Sequence, residues 1–133
     1  MTGKAPRLAD EQVVREAFAR WNRGEHDVDP ELIHPEITIR SALVQDRFHG
    51  YEGVAAWVRE IDDQFAEWNV EVDELRDVGD GRFLLEGAIH GRGRLSGVDV
   101  DEAASWIAEV RDGRLLRLDN FIGRETAARR LRG

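Results

Sequence analysis

The sequence has 133 residues and contains no cysteine, one lysine, one methionine and three prolines. Without cysteine there is no disulfide, no thiolate nucleophile and no cysteine-ligated zinc site. No apolar run approaches the ~20 residues of a membrane-crossing helix, and residues 1–9 lack the apolar centre of a secretory signal. These absences predict a cytoplasmic protein without a membrane segment.

Acidic side chains outnumber basic ones by 27 to 19, which gives a formal net charge of −8. Because a phosphate backbone is repelled by such a surface, nucleic acid is not expected as a partner. The length suits one domain. We predict a flexible N-terminal lead over residues 1–9 and a single domain over 10–133.

The first half of the chain carries two amphipathic helical patterns. Apolar residues at steps of three and four predict a helix from Asp10, as N-cap, to Gly24, and a second over residues 51–67. Between them, Asp29-Pro30-Glu31 predicts one or two helical turns, and residues 36–43 alternate as a strand does. Residues 44–50 resemble a loop.

The second half has the alternation and turn signals of an antiparallel meander. Strands are predicted over 69–78, 82–95, 98–111 and 115–122, followed by a short basic helix over 124–131. The turns between the strands are Gly79-Asp80-Gly81, Ser96-Gly97 and Asp112-Gly113. Helices first and paired strands afterwards predict an α+β domain, with helices packed on a strongly curved, mostly antiparallel sheet.

Two-residue turns at Ser96-Gly97 and Asp112-Gly113 set which side chains share a sheet face. One face, mixed in polarity, collects Glu86, Ala88, His90, Ser105, Ile107, Leu118, Asn120 and Ile122. The other, more apolar, collects Phe83, Leu85, Ile89, Ala104, Trp106, Ala108, Val110, Leu115, Arg117, Asp119 and Phe121. A single β-bulge is the alternative, and it would bring Asp119 to the mixed face.

Both faces are too apolar for exposure to water, and the helices of one chain are expected to cover only one of them. The sequence therefore predicts a homodimer that associates through the sheet. The mixed face, with its polar groups in an apolar frame, is the better candidate for a pocket beneath the helices. The expected ligand is a small hydrophobic molecule.

Three local segments resemble those of SnoaL-like proteins in the nuclear transport factor 2-like superfamily. Leu32-Ile33-His34-Pro35-Glu36-Ile37 resembles the family's entry to its first strand, and His49-Gly50-Tyr51-Glu52-Gly53-Val54 the start of its third helix. Val110-Arg111-Asp112-Gly113-Arg114-Leu115 is similar to the hairpin before its last strand. The resemblance covers roughly residues 10–131 and implies a cone-shaped α+β fold.

The superfamily includes polyketide cyclases, ketosteroid isomerase, limonene epoxide hydrolase, dehydratases and non-catalytic binding domains, so the resemblance selects no single reaction. Its hydrolase and cyclase members carry an aspartate on the last strand. Aligned without gaps from Asp112-Gly113, that position is Asn120, and Asp119 precedes it. An amide cannot act as a general base, so this departure disfavours both chemistries unless the strand is bulged.

Two residues are candidates for proton transfer. His90 has a side chain suited to moving protons near neutral pH, and Asp119 replaces it if the strand is bulged. The alternatives are a half-exposed histidine at a strand end and a structural ion pair between Asp119 and Arg117 or Arg124. Glu86 lies about 13 Å along the strand from His90, so the two would contact opposite ends of one ligand.

Other candidates would hold the ligand. Ser105 and Asn120 are placed to orient a carbonyl or hydroxyl group, or else to satisfy backbone groups. The aromatic side chains on the helical stripes are expected to form the pocket walls or simply core; they are Phe18, Trp21, Tyr51 and Trp57.

No histidine or carboxylate spacing typical of a metal site is present, and no glycine loop that cradles phosphate, so neither a metal nor a cofactor is expected. Three hypotheses remain. The first is a cofactor-independent isomerase, cyclase or dehydratase acting on a polyketide- or terpenoid-like substrate. The second is a non-catalytic module that binds a hydrophobic ligand, and the third a dimerisation domain with a filled interior.

Overall fold

The computed structural model describes residues 9–43 and 46–133, so residues 1–8 of the predicted lead lie outside the described part. The described helices are α1 (Asp10–Asn22), α2 (Gly50–Gln64) and α3 (Thr126–Arg132). The described strands are β1 (Ile33–Arg40), β2 (Arg47–His49), β3 (Phe65–Gly79), β4 (Arg82–Gly93), β5 (Asp99–Arg111) and β6 (Arg114–Ile122). The predicted α+β class is confirmed. None of these helices is long and apolar enough to cross a membrane.

The strands form one curved sheet in the order β2-β1-β6-β5-β4-β3. Neighbouring strands are antiparallel except β1 and β6, which are parallel. Helices α1 and α2 pack on what we call the inner face of the sheet, and α3 packs on the outer face. The sheet therefore has two faces that are covered by different helices.

Helix boundaries differ from the predictions where the local signal is weak. The N-cap of α1 is Ala9 rather than Asp10, and its backbone N–H donates to the Gln12 side chain at 3.2 Å. Gly24 ends the helix as expected, with φ +80°. Helix α2 stops before Phe65, which already pairs with Gly93 in the sheet. No glycine or proline marks this change, so strand pairing alone decides it.

Two segments between α1 and α2 were predicted differently. Residues 30–32 form a turn, in which the Ile33 N–H donates to the Asp29 carbonyl at 2.8 Å, instead of a helix of one or two turns. Part of the predicted loop is β2, paired with the end of β1. A strand this short gives no alternation to recognise, because it contributes only Arg47, Phe48 and His49.

The Asp112-Gly113 turn confirms its hairpin signal, whereas the two-residue turn predicted at Ser96-Gly97 is wrong. Asp112 and Gly113 both have positive φ, 56° and 74°, which is the type I′ conformation that suits the twist of the strands. In the strands themselves, Gly87 allows a close approach to β3. A Cβ at that position would lie 1.8 Å from the Glu71 carbonyl oxygen, so only glycine fits there.

The strand registers differ from the predicted ones in two ways. Arg92 pairs with Asp99, two residues from the predicted register, because the β4–β5 connection is longer than two residues. In β6, Leu116 is an extra residue between the pairs Val110–Leu115 and Glu109–Arg117, so the bulge considered as the alternative is present. The two-residue shift between β4 and β5 keeps the same residues on each face. The bulge moves the residues of β6 that follow Leu116 to the opposite face from the one predicted without it.

The larger core lies between the inner face and helices α1 and α2, with Val13, Val14, Trp57 and Ile61 buried on the helix side. The smaller core lies beneath α3 and consists of Leu84, Ile107, Phe121 and Ala127. Helix α3 thus covers part of the face whose exposure motivated the predicted homodimer. The homodimer stays a prediction for light scattering, and a monomer at micromolar concentration would contradict it.

Candidate functional site

A cavity of about 100 Å³ lies between α1, α2 and the inner face. At one end it meets a surface cleft of about 620 Å³ formed by residues 24–30 and Arg20. Residues 25–29 line both spaces, so the loop after α1 forms the cavity mouth. The hollow expected beneath Trp21 and Trp57 is therefore present.

The walls are apolar and rich in tryptophan. All four tryptophans of the chain line the cavity: Trp21, Trp57, Trp68 and Trp106. Trp21 and Trp57 are tilted against each other with ring centroids 5.2 Å apart. The Trp21 Nε1–H donates to the Trp68 carbonyl oxygen at 2.7 Å, which satisfies its polar atom and fixes the ring. These walls suit an apolar or aromatic guest.

The mouth carries the charged and titratable groups of the cavity. Arg20 donates to Asp29 at 2.6 Å, and this hydrogen bond holds the pKa of that carboxyl below its usual value. His26 stacks on Trp21, with ring centroids 4.0 Å apart. Its Nε2 lies 3.1 Å from the Trp21 carbonyl oxygen, to which it donates, so Nδ1 is left as the acceptor.

One polar side chain lines the cavity away from the mouth, and it is Asn120 on β6. Its Nδ2 donates to the Arg40 carbonyl oxygen at 2.8 Å. Over residues 9–43 and 46–133, no hydrogen bond is made to its Oδ1. The amide is 7% exposed, so this oxygen is an acceptor available in an apolar setting.

Of the nine predicted site residues, four line the cavity: Phe18, Trp21, Trp57 and Asn120. Tyr51 lies on α2 as expected, but its hydroxyl donates to the Ile33 carbonyl oxygen at 2.9 Å, and the residue is not part of the wall. Phe18, Trp21, Trp57 and Asn120 therefore share one cavity.

The remaining four lie on the outer face and not in the cavity, which corrects their predicted placement. His90 is exposed, with its Nδ1 2.6 Å from Asp101 Oδ1. This hydrogen bond to Asp101 raises the His90 pKa, with smaller help from the charges of Asp101 and Glu71. The alternative of a half-exposed histidine at a strand end therefore describes it, since its side chain is 47% exposed.

Asp119 is 1% exposed but faces away from the cavity. Arg117 donates to its Oδ2 twice, at 2.6 and 2.8 Å, and the Arg47 Nη1 lies 3.5 Å from its Oδ1. The bond to Asp119 raises the Arg117 pKa. This is the structural ion pair considered in the sequence, and it leaves no carboxylate of β6 inside the cavity.

Glu86 and Ser105 also have structural partners on the outer face. Glu86 is 8% exposed and lies 3.4 Å from the Arg76 guanidinium. The Ser105 hydroxyl donates to the Gly123 carbonyl oxygen at 2.8 Å and accepts from the Ala127 N–H at 2.9 Å. Ser105 thus attaches the start of α3 to β5.

The wrong placement has one physical cause. Helices α1 and α2 cover the more apolar face of β4 and β5, where Leu85, Ile89 and Trp106 are buried, because this burial removes more apolar area from water. The mixed face, predicted to form the pocket, instead receives α3 and the ion pairs. Sequence reasoning also missed His26, Trp68 and Trp106 as cavity residues; for His26, its position just after Gly24 was the available signal.

Among residues 9–43 and 46–133, no group of three or more His, Asp or Glu side chains is arranged to hold a metal ion. The polar groups at the mouth are Arg20, Glu25, His26, Asp27 and Asp29. Arg20 pairs with Asp29, and Glu25 pairs with Arg23. Among the described residues Asp27 forms no ion pair, so this exposed carboxylate, the His26 imidazole and Asn120 are the groups that a ligand can meet.

Comparison with solved structures places this architecture among known folds. An NTF2-like protein of unknown function from Burkholderia pseudomallei superposes with a TM-score of 0.76 at 17% identity, over 92% of this chain and 97% of that one. A protein from Jannaschia sp. CCS1, provisionally assigned as a SnoaL-like polyketide cyclase, gives 0.73 at 18% identity, over 92% and 91%. TerC co-crystallized with polyporic acid gives 0.75 at 12%, over 92% and 95%.

Sequence comparison narrows this to a family. No curated protein matches the chain significantly. A family model described as a SnoaL-like domain matches residues 14–118, from the first buried turn of α1 to the cavity-lining part of β6. Because the family model covers most of the chain, this match shows that the chain belongs to the SnoaL-like family, and its helix-covered curved sheet has the same fold as the NTF2-like structure.

Proposed function

We propose that this protein binds a small hydrophobic molecule in the inner-face cavity and does so without proton transfer. The observation that carries the proposal is that the side chains predicted to transfer protons lie outside the cavity. His90 and Asp119, the predicted acid and base, lie on the outer face, whereas the cavity wall is apolar with Asn120 as its inner polar group. An amide binds and orients a ligand but does not remove a proton from it.

The size of the cavity limits the part of the ligand that enters. At about 100 Å³ it is smaller than the ~150 Å³ apolar cavity known to hold benzene. A single ring or short aliphatic group therefore enters with small side-chain shifts, and any larger part occupies the cleft at residues 24–30. TerC, which has a similar fold, was co-crystallized with polyporic acid, and this supports a small organic ligand.

Tryptophan fluorescence tests the proposal directly, because every tryptophan of the chain lines the cavity. Titration with toluene is expected to change the emission saturably. Val54→Phe places extra volume in the cavity wall and is expected to abolish this change. Ala55→Phe, on the exposed side of the same helix, is the matched control and should leave it intact. The same toluene-induced change in emission in both variants would contradict the assignment.

Asn120 sets the expected preference for a hydroxyl-bearing ligand. Phenol and toluene have similar shapes, but phenol can donate to the Asn120 Oδ1. Asn120→Leu keeps the approximate volume and removes the acceptor, so the preference for phenol over toluene should fall about fivefold. An unchanged preference would show that Asn120 only holds the Arg40 backbone.

The second candidate is a cofactor-independent isomerase, cyclase or dehydratase, and His26 favours it. The imidazole lines the mouth, and its Nε2–H bond to the Trp21 carbonyl leaves Nδ1 able to accept a proton. Such an enzyme would catalyse exchange of an acidic C–H of a bound 1,3-dicarbonyl compound in D₂O. His26→Gln should then stop the exchange and keep binding, whereas no exchange above background in the wild type contradicts this candidate.

A further inference from the structure

Three arginines converge on the outer side of the sheet, and none of them lines the inner-face cavity. Arg40 lies on β1, Arg47 on β2 and Arg130 on α3, and with Asp46 they line an open pocket of about 510 Å³. Counting Asp46, the formal charge of this pocket is 3 − 1 = +2. A local positive excess of this kind contrasts with the net charge of −8 for the whole chain. We refer to it as the arginine pocket.

Two of the guanidinium groups are held over one aromatic ring. The Arg40 Cζ lies 4.6 Å from the centroid of the Phe121 ring, and the Arg130 Cζ lies 5.6 Å from it. Phe121 is buried, with 3% exposed. Contact with the ring face stabilises each cation, but bringing two like charges to one ring costs repulsion that an anion between them would relieve.

Carboxylates of the chain do not provide this neutralisation. Within the described ranges 9–43 and 46–133, neither Arg40 nor Arg130 forms an ion pair, and residues 1–8, 44 and 45 include no Asp or Glu. Asp46 accepts the backbone N–H of Arg47 at 2.8 Å. Most other arginines on the sheet do have acidic partners, as Arg117 has in Asp119.

The buried carboxylate beside the pocket does not change this balance. Asp119 pairs with Arg40 across β1 and β6, but its Oδ2 is engaged by Arg117 at 2.6 Å. Its Oδ1 faces Arg47 at 3.5 Å, which orients that guanidinium at the edge of the pocket without a hydrogen bond. Arg40 donates one hydrogen bond, to the Asn120 carbonyl oxygen at 3.0 Å, so its other donors remain available.

We propose that the arginine pocket binds a phosphate-type oxyanion, either free or carried on a small molecule. Guanidinium groups match the oxygen geometry of phosphate and donate to it in pairs. A phosphate dianion also carries more charge and more acceptor oxygens than a carboxylate, so it can meet three converging arginines more fully. The site is independent of the inner-face cavity, because none of its arginines lines that cavity.

Calorimetric titration at low ionic strength tests the assignment, with inorganic phosphate, glycerol 2-phosphate and acetate as probes. Both phosphates are expected to bind, and acetate about tenfold more weakly than phosphate. Arg47→Gln and Arg130→Gln should each weaken phosphate binding about tenfold. Tighter binding of the ester would assign a phosphorylated small molecule, and tighter binding of inorganic phosphate would assign the free anion.

Arg132→Gln is the matched control, since it removes the same charge from an exposed position of the same helix. It should change phosphate affinity less than about twofold. An equal loss in Arg130→Gln and Arg132→Gln would reduce the effect to overall charge and overturn the site. So would equal affinities for acetate and phosphate, or no phosphate binding by the wild type up to about 20 mM.

A measurement on the wild-type protein removes any dependence on how the variants fold. The Nε–H resonances of Arg40 and Arg130 are expected to shift together as phosphate is added, because both guanidinium groups contact the same anion. Arg132 provides the internal reference and should not shift. Movement of Arg132 with the other two, or of none of them, would overturn the proposal.

Discussion

The two faces of the sheet differ in where they keep polar groups, although the same strands build both. On the inner face, Trp106 and its neighbours are covered by α1 and α2 and surround a cavity with one amide in its wall. The outer face has polar side chains that are about as deeply buried as that amide, but each of them has a structural partner; they are Asp119, Glu86 and Ser105. Burial of a polar group is therefore no sign of a functional site here.

The difference between the two faces shows how buried polar groups with a structural role can be told apart from those that can bind a ligand. The buried Asp119 carboxylate accepts two hydrogen bonds from Arg117 at its Oδ2 and faces the outer side of the sheet, so it has a structural partner and no access to the cavity. The Asn120 amide has an unengaged acceptor and faces a space that a ligand can enter. A hydrogen-bonding atom without a partner that also faces accessible volume identifies the candidate site better than burial or residue type alone.

Trp106 and Ile107 are adjacent on β5 and lie on opposite faces, so they offer the largest expected effects. Trp106→Ala should lower the free energy of unfolding by about 4 kcal/mol and Ile107→Ala by about 3 kcal/mol, because each empties a core position. Urea unfolding measures both. Trp106→Ala should also admit larger rings to the cavity, whereas Ile107→Ala should leave ligand affinity unchanged. A similar change in affinity for both variants would contradict the separation of the faces.

Ser105 is expected to have an intermediate effect, and on stability rather than on binding. Ser105→Ala leaves the Ala127 N–H without its acceptor and should lower the free energy of unfolding by about 2 kcal/mol. Hydrogen exchange at Ala127 should accelerate as well. Ser96→Ala, which removes a hydroxyl from an exposed turn, is the control and should cost less than about 0.5 kcal/mol. Loss of toluene binding with stability intact would restore Ser105 to the site.

His90 provides the smallest expected effect. Its pKa is raised above the usual 6.5 by the hydrogen bond to Asp101, and Asp101→Asn should return it towards that value in an NMR titration. Because the folded-state pKa is the higher one, any stabilisation is complete below about pH 6.5. It is lost as pH rises through the folded-state pKa. An unshifted His90 in the wild type would contradict the pairing.

Much of the fold was predictable because its signals are local. The stripes of α1 and α2 and the Asp112-Gly113 turn depend on residues a few positions apart, and all of them are present. The sheet faces were harder, since a face depends on each register between distant strands. The structure reverses the covered face of β5 and also introduces the Leu116 bulge in β6. On β6 the bulge and the change of covered face offset each other, so Asn120 lies in the cavity as predicted. On β5 only the covered face changes, so Ser105 lies on the outer face.

By itself, the sequence determined the order of the elements, the helical stripes and the residues available for chemistry, because periodicity and turn propensity act within a few residues. The tertiary structure alone decided which sheet face α1 and α2 cover, and with it that His26 and Asn120 lie at the cavity while His90 and Asp119 do not. For Asn120 and Asp119 the physical reason includes the bulge at Leu116, because a one-residue bulge turns the following side chains of β6 to the opposite face. The total area buried in three dimensions determines which arrangement is stable.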